Sequence, residues 1–187
     1  MTTDTSIARP AALRFGYGET ALGIILLAES SIGVVALFIG DDRAKLHRDL
    51  RDTFPTAEPI PDQSGLAETI ATAAALIDAP HLGSDLKLDL QGSAVELAVW
   101  RALQAIPTGQ TRTYGEIARN LPVPATAQEV GAACAANRIA VAVPCHRVVK
   151  SDGSISGYRW GVRRKRRLIN MEGVACPPAN AKRELFV

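Results

Sequence analysis

Residues 113–149 read TYGEIARNLPVPATAQEVGAACAANRIAVAVPCHRVV, and this stretch decides the class of the second half of the chain. Gly115–Leu121 has the length of a brief helix, stopped by Pro122 and Pro124. Thr126-Ala-Gln-Glu129 is a capping box: the threonine hydroxyl accepts from a free backbone N–H while the glutamate reaches back. It opens a helix to about Ala136 made largely of Gly131, Ala132, Ala133, Ala135 and Ala136. Two short helices joined by a tight turn form a helix-turn-helix pattern. Spacing alone leaves two readings of the alanine-rich helix, close packing inside a core or close approach of its backbone to a groove. Asn137 falls at the helix end, where asparagine tolerates a left-handed stop. Ile139–Val143 then reads as an apolar strand leading into Pro144-Cys-His-Arg-Val-Val149.

Downstream, Ser151-Asp152-Gly153 is a turn and Gly157-Tyr158-Arg159-Trp160-Gly161 is an aromatic loop flanked by glycines. Val162–Glu172 is a basic helix stopped by Gly173, and residues beyond Ala175 read as a loose tail. Upstream, Leu13–Tyr17, Leu22–Ala28 and Ile32–Ile39 are short strands of an antiparallel sheet. Asp42–Phe54 places Leu46, Leu50 and Phe54 on one helical face, and the proline-rich run Pro55–Pro61 ends it. Gly65–Ala79 is a second helix, Leu86–Leu90 a strand, and the capping box Ser93-Ala-Val-Glu96 opens a helix from Ala94 to Ile106. The fold class is α+β, with a scaffold domain at 1–90, a helical domain at 91–175 and a tail at 176–187.

At 47% hydrophobic content, 187 residues can bury a real core, which excludes a disordered chain. Residues 1–100 hold 7 Lys+Arg against 14 Asp+Glu, and residues 101–187 hold 14 against 5. A basic half joined to an acidic one suggests that the second meets a polyanion, although a solvated basic surface has the same composition. Cys134, Cys145 and Cys176 show neither the close pairing of a zinc site nor the even count of a disulfide framework, so reduced thiols in the cytoplasm and no metal are expected. The apolar stretch from Leu22 to Ile39 is broken by Glu29, Ser30, Ser31 and Gly33, which argues against a membrane span, and the N-terminus lacks the pattern of a signal peptide. His47 and His81 lie in the acidic half and read as surface residues.

A cysteine beside a histidine suggests a nucleophile, because the thiolate attacks and a free thiol of pKa ~8.5 is only slightly ionised at neutral pH. Adjacency does not decide the matter. On an extended segment the two side chains point to opposite sides, and a cysteine is often only a small buried hydrophobe.

Taken together, Cys134-Ala-Ala-Asn137, Pro144-Cys-His-Arg-Val-Val149, Ser156-Gly-Tyr-Arg-Trp-Gly161 and Arg164-Lys165 resemble the O6-alkylguanine-DNA alkyltransferases, particularly the bacterial Ada-type alkyltransferase domain. The likeness is clear over 92–173 and looser through the first strands. It implies a ribonuclease-H-like N-terminal sheet with helices, then a helix-turn-helix, winged-helix-like domain carrying the acceptor cysteine. By that resemblance Cys145 accepts the alkyl group, His146 is the base acting through a water, Glu172 orients the imidazole and Asn137 ties the reading helix to the cysteine loop. The reaction implied is stoichiometric, irreversible and free of cofactor. Its partner is double-stranded DNA containing O6-alkylguanine, with O4-alkylthymine left open, and the protein is expected to act as a monomer without a membrane.

Chemistry at a stacked base requires flipping the nucleotide into a pocket. The resemblance gives Tyr114, Val148, Tyr158 and Arg159 to the bound nucleotide, with Val148 acting through its backbone region, and Arg147 to holding the loop. It gives Thr126, Gln128, Ala132, Ala135 and Arg138 to the DNA, read through the minor groove. Gln128 departs from the family, which commonly carries an arginine there to fill the gap left by the flipped base. Glutamine can hydrogen-bond the orphaned cytosine but brings no charge. Two rival readings are a lesion binder without chemistry, whose signature would be loss of the acceptor cysteine, and a cysteine hydrolase or peroxidase, which would turn over.

Overall fold

The computed structural model describes residues 12–173. The expected tail at 176–187, Cys176 included, lies outside the described residues. Strands β1 (Ala12–Thr20), β2 (Gly23–Glu29) and β3 (Val34–Gly40) form where apolar runs meet turn residues, and they pair antiparallel in chain order. The proline-rich run, expected only to end a helix, supplies β4 (Glu58–Pro61), which adds in parallel to β1 and gives the order β3-β2-β1-β4. Prolines fit there because an edge strand leaves every second N–H without a ladder partner. Helix α1 (Arg43–Thr53) starts at Asp42, whose carboxylate accepts from the amides of Ala44 and Lys45, and it buries Leu46 and Leu50. Helix α2 (Ala67–Asp78) packs on β1 through a face that includes Ile70, Ala73 and Ile77.

The second half is helical: α3 (Ala94–Gln104), α4 (Tyr114–Asn120), α5 (Ala127–Ala136) and α6 (Val162–Met171). Complete capping boxes open three of them, at Ser93/Glu96, Thr113/Glu116 and Thr126/Glu129. The box at Thr113 starts α4 one residue ahead of the helix expected from Gly115. The indole N–H of Trp100 donates to Ala133 O at 2.9 Å and pins α3 to α5. Arg164 Nε donates to Leu22 O at 2.8 Å and Arg167 to Ala21 O at 2.8 Å, so α6 is anchored to the turn between β1 and β2.

The edge of β3 joins the two halves. Val34 N–H donates to Lys87 O (2.8 Å) and Asp89 N–H to Val34 O (2.9 Å); Leu37 N–H donates to Arg138 O (2.9 Å) and Ala140 N–H to Leu37 O (2.9 Å). The strands expected at Leu86–Leu90 and Ile139–Val143 are therefore each reduced to a single bridge, at Leu88 and Ile139. For the second, the chain leaves the sheet by a γ-turn: Ala142 N–H donates to Ala140 O at 2.7 Å around Val141, a β-branched residue at φ 64°. Such a conformation costs roughly 1–3 kcal/mol and persists only where its surroundings fix it. A second γ-turn, of the relaxed hand, follows at Pro144 (φ −81°, ψ 60°), where Cys145 N–H donates to Val143 O at 2.8 Å. Asn137, expected in a left-handed stop, instead has φ −57° and ψ 129°, because the chain runs straight on to the β3 edge.

Since the Ser93 box is the only side-chain cap of α3, Ser93→Ala should lower the unfolding free energy by about 1 kcal/mol and Ser93→Gly by a few tenths. Denaturant unfolding of the two variants checks this.

Candidate active site

The two γ-turns deliver Pro144 to the start of a single 3₁₀ turn, Cys145–Arg147, so the cysteine and histidine do not sit on the extended segment expected from sequence. The Asn137 amide holds this loop: Nδ2 donates to Val143 O (2.8 Å) and to Cys145 Sγ (3.2 Å), and Oδ1 accepts from Ile139 N–H (2.9 Å). Asparagine suits the position because one amide presents two donors and an acceptor in a plane. Cys145 is buried, which pushes its thiol up to about 11; the Asn137 contact and the positive charges of Lys165 and Arg159 pull it partly back.

His146 is fully buried with Nε2 2.8 Å from Glu172 Oε1. Burial lowers its pKa, and the carboxylate only partly restores it. The imidazole is therefore neutral at pH 7, with Nε2–H donating to Glu172 and Nδ1 unprotonated, and Nδ1 has no hydrogen-bond partner among the described residues. Glu172, at the C-cap of α6, also receives Arg147 Nε at 3.0 Å on Oε2 and Nη2 at 2.9 Å on Oε1. Burial alone would push the carboxyl up, but hydrogen bonds from His146 and Arg147 outweigh it and hold the pKa at about 2. Arg147 completes its bonding through Ile106 O (2.6 Å) and Thr108 Oγ1 (3.1 Å), which ties the end of α3 to the frame.

A second buried group lies beside the cysteine. Lys165 Nζ donates to Ser156 Oγ at 2.8 Å, Ser156 Oγ shares a 2.5 Å hydrogen bond with the Tyr114 hydroxyl, and burial lowers the lysine pKa. In the sequence Lys165 belongs to the Arg164-Lys165 pair of the family motif, but nothing there gives it a role beyond that of a cation in a basic helix. The signal that could have found it is spacing, since Lys165, Leu168, Ile169 and Glu172 fall on the one buried stripe of α6. Tyr158 packs edge-on to Trp160 with ring centroids 5.2 Å apart, and its hydroxyl is buried without a partner among the described residues. Val148 lies in the short strand β6 (Val148–Val149), paired in parallel with β5 (Arg112–Thr113), which places the Tyr114 helix against the cysteine turn.

The other sequence candidates divide. Gln128, Ala132 and Ala135 share one outward face of α5, at i, i+4 and i+7. The Thr126 side chain is committed to its capping box, accepting from Glu129 N–H and donating to its carboxylate at 2.8 Å. Arg138 and Arg159 turn toward the first half: Arg138 lies over the Phe54 ring (5.3 Å) and Arg159 over Phe38 (5.4 Å). Among the described residues no cluster of three or more His, Cys, Asp or Glu side chains could hold a metal.

Residues 94–174 match the model of the family "6-O-methylguanine DNA methyltransferase, DNA binding domain". The chain is 39% identical to the Escherichia coli protein "Bifunctional transcriptional activator/DNA repair enzyme Ada" over 161 residues, covering 86% of this chain and 46% of that protein. It is 50% identical over 88 residues to a Mycolicibacterium paratuberculosis "Methylated-DNA--protein-cysteine methyltransferase", covering 47% of this chain and 53% of the relative. Thus it spans about half the length of the curated relatives it matches. Among solved structures, Mycobacterium tuberculosis OGT in complex with DNA superposes with a TM-score of 0.67 at 33% identity, covering 86% of this chain and 92% of the other.

The depressed carboxyl of Glu172 has a direct consequence for acid stability. In the unfolded chain a glutamate titrates near ~4.3, so the ionised Glu172 contributes stability above that pH that is lost as pH falls toward 2. Urea unfolding should show wild type most superior to Glu172→Gln above about pH 5, with the gap narrowing toward pH 2. A gap independent of pH would contradict the assignment.

Proposed function

The chain belongs to the 6-O-methylguanine DNA methyltransferase family, and from that premise we propose that it repairs DNA by moving an alkyl group from guanine O6 onto its own Cys145. The observation that carries this reading is the buried series Cys145, His146, Glu172: a thiol held up near 11, a neutral imidazole with Nδ1 free, and a carboxylate fixed by Arg147. A thiol at that pKa is inert until a base takes its proton. His146 Nδ1 receives it through a water, and Glu172 stabilises the imidazolium that forms, which is the logic of nucleophile, base and orienter. The thiolate attacks the alkyl carbon, the S–C bond forms, and the C–O6 bond breaks with its electron pair left on the oxygen. Guanine is restored by taking up a proton. Nothing in the set cleaves the resulting thioether to regenerate the thiol, so each molecule reacts once.

For this the nucleotide leaves the duplex. The outward face of Gln128, Ala132 and Ala135 carries two methyl side chains that let the helix backbone approach the minor groove, and Tyr114, Tyr158 and the Val148 backbone surround the base. The first sheet reads as a ribonuclease-H-like scaffold over 1–90, and the second half as a winged-helix-like unit. The substrate is double-stranded DNA with O6-alkylguanine, and the protein works as a cytoplasmic monomer. Among the described residues no helix is long and apolar enough to cross a membrane.

Incubation with a duplex containing O6-methylguanine should add one methyl group per chain by intact mass, mapped by peptide analysis to Cys145. Cys145→Ser should accept none while still binding DNA, because a serine hydroxyl is far harder to ionise. Turnover, or methylation mapped to Cys134, would overturn the proposal. Gln128→Arg should raise the ratio of the rate on duplex to the rate on free O6-benzylguanine, because only duplex DNA requires extrusion of the base. An unchanged ratio would show that another residue fills the gap.

A further inference from the structure

Resting on the repair reading above, we propose that Arg138 and Arg159 form a two-guanidinium clamp for a backbone phosphate of the bound DNA, mounted on aromatic rings of the N-terminal half. Arg138 follows the end of α5 and lies over Phe54; Arg159 comes from the aromatic loop and lies over Phe38. The cation–π contact holds each guanidinium at its ring. The two charges are close enough to repel, and that repulsion adds to burial in lowering the Arg159 pKa. Neither arginine is ion-paired with a carboxylate among the described residues. The hydrogen bonds of Arg159 to Ala135 O and Thr53 Oγ1 are long, at 3.5 and 3.4 Å. Asp49 also acts on Arg159, but its carboxylate is engaged by Lys45 at 2.7 Å.

Position identifies the anion. Arg159 reaches Ala135 O at one end of the outward α5 face, and Gln128 lies at the other, about 10 Å away along the helix axis. DNA lying along that face carries its phosphates past the pair. Two guanidiniums with no carboxylate ion pair among the described residues suit a phosphate, which accepts on several oxygens. The acidic N-terminal half thus serves DNA binding indirectly, through Phe38 and Phe54 rather than through charge. The clamp also supplies permanent positive charge at a DNA-facing surface where position 128 has none.

The test is the salt dependence of binding to an undamaged duplex, followed by fluorescence anisotropy with the full chain. Removal of the interaction with one phosphate should reduce the slope of log K against log salt by about 0.9. Arg138→Gln/Arg159→Gln should reduce it by about that amount or more, each single variant should account for part, and Arg138→Lys/Arg159→Lys should retain most of it. A double glutamine variant with the wild-type slope would overturn the clamp. So would a change no larger than that of Arg163→Gln, an exposed arginine of α6 outside the pair. Methyl transfer by wild type, read by mass in parallel, separates the two ideas: transfer with an unaltered slope overturns the clamp alone, whereas absence of both transfer and duplex binding overturns both.

Discussion

The carboxylate of Glu172 is the point on which the rest of the site depends. It is enclosed, ionised, and bonded on one side to His146 and on the other to Arg147, whose remaining donors reach Ile106 and Thr108. A buried charge is tolerable only when its lone pairs are satisfied, and removing one partner typically costs about 3–5 kcal/mol. One interaction therefore joins the end of α6, the cysteine turn and the end of α3. It also selects the histidine tautomer: because Oε1 accepts from Nε2–H, the free lone pair is on Nδ1.

The second constraint is the edge of β3. An open strand edge is a liability unless covered, and here residues 87–89 and 138–140 cover it. The same bonds fix where the chain emerges from α5. From there the turn at Val141, the Asn137 amide and the turn at Pro144 leave the loop little freedom before it reaches Cys145. The scaffold half thus sets the position of the Cys145 sulfur through backbone bonds alone.

Local features were legible in the sequence and long-range ones were not. The first three strands, the capping boxes at Ser93 and Thr126, and the glycine stop of α6 depend on neighbouring residues, and they form as expected. The strand at Glu58–Pro61 is not legible because prolines argue against a strand until an edge is known to be available. Ile139–Val143 has strand composition, but its conformation is set by partners on Leu37 and Asn137. In the site, Cys145 and His146 are visible as a pair, while Glu172 enters through family resemblance alone. The burial of Lys165, though the residue belongs to the Arg164-Lys165 motif, is hidden by its basic neighbours. The stacking of Arg138 and Arg159 on Phe54 and Phe38 joins residues far apart in the chain, which no local pattern encodes.

The balance of charge inside the site decides where a proton can go. Cys145 is a thiol at rest, His146 is neutral, and burial opposes the charge of Lys165 while hydrogen bonds keep Glu172 ionised. The proton of the thiol therefore has a buried acceptor with an open lone pair, and the central claim is that His146 rests in the tautomer that provides it. Nitrogen-15 NMR of the histidine-labelled protein at pH 7 tests this most directly. A protonated Nε2 and an unprotonated Nδ1 are expected for His146; an imidazolium, or a proton on Nδ1 in the resting protein, would contradict the claim.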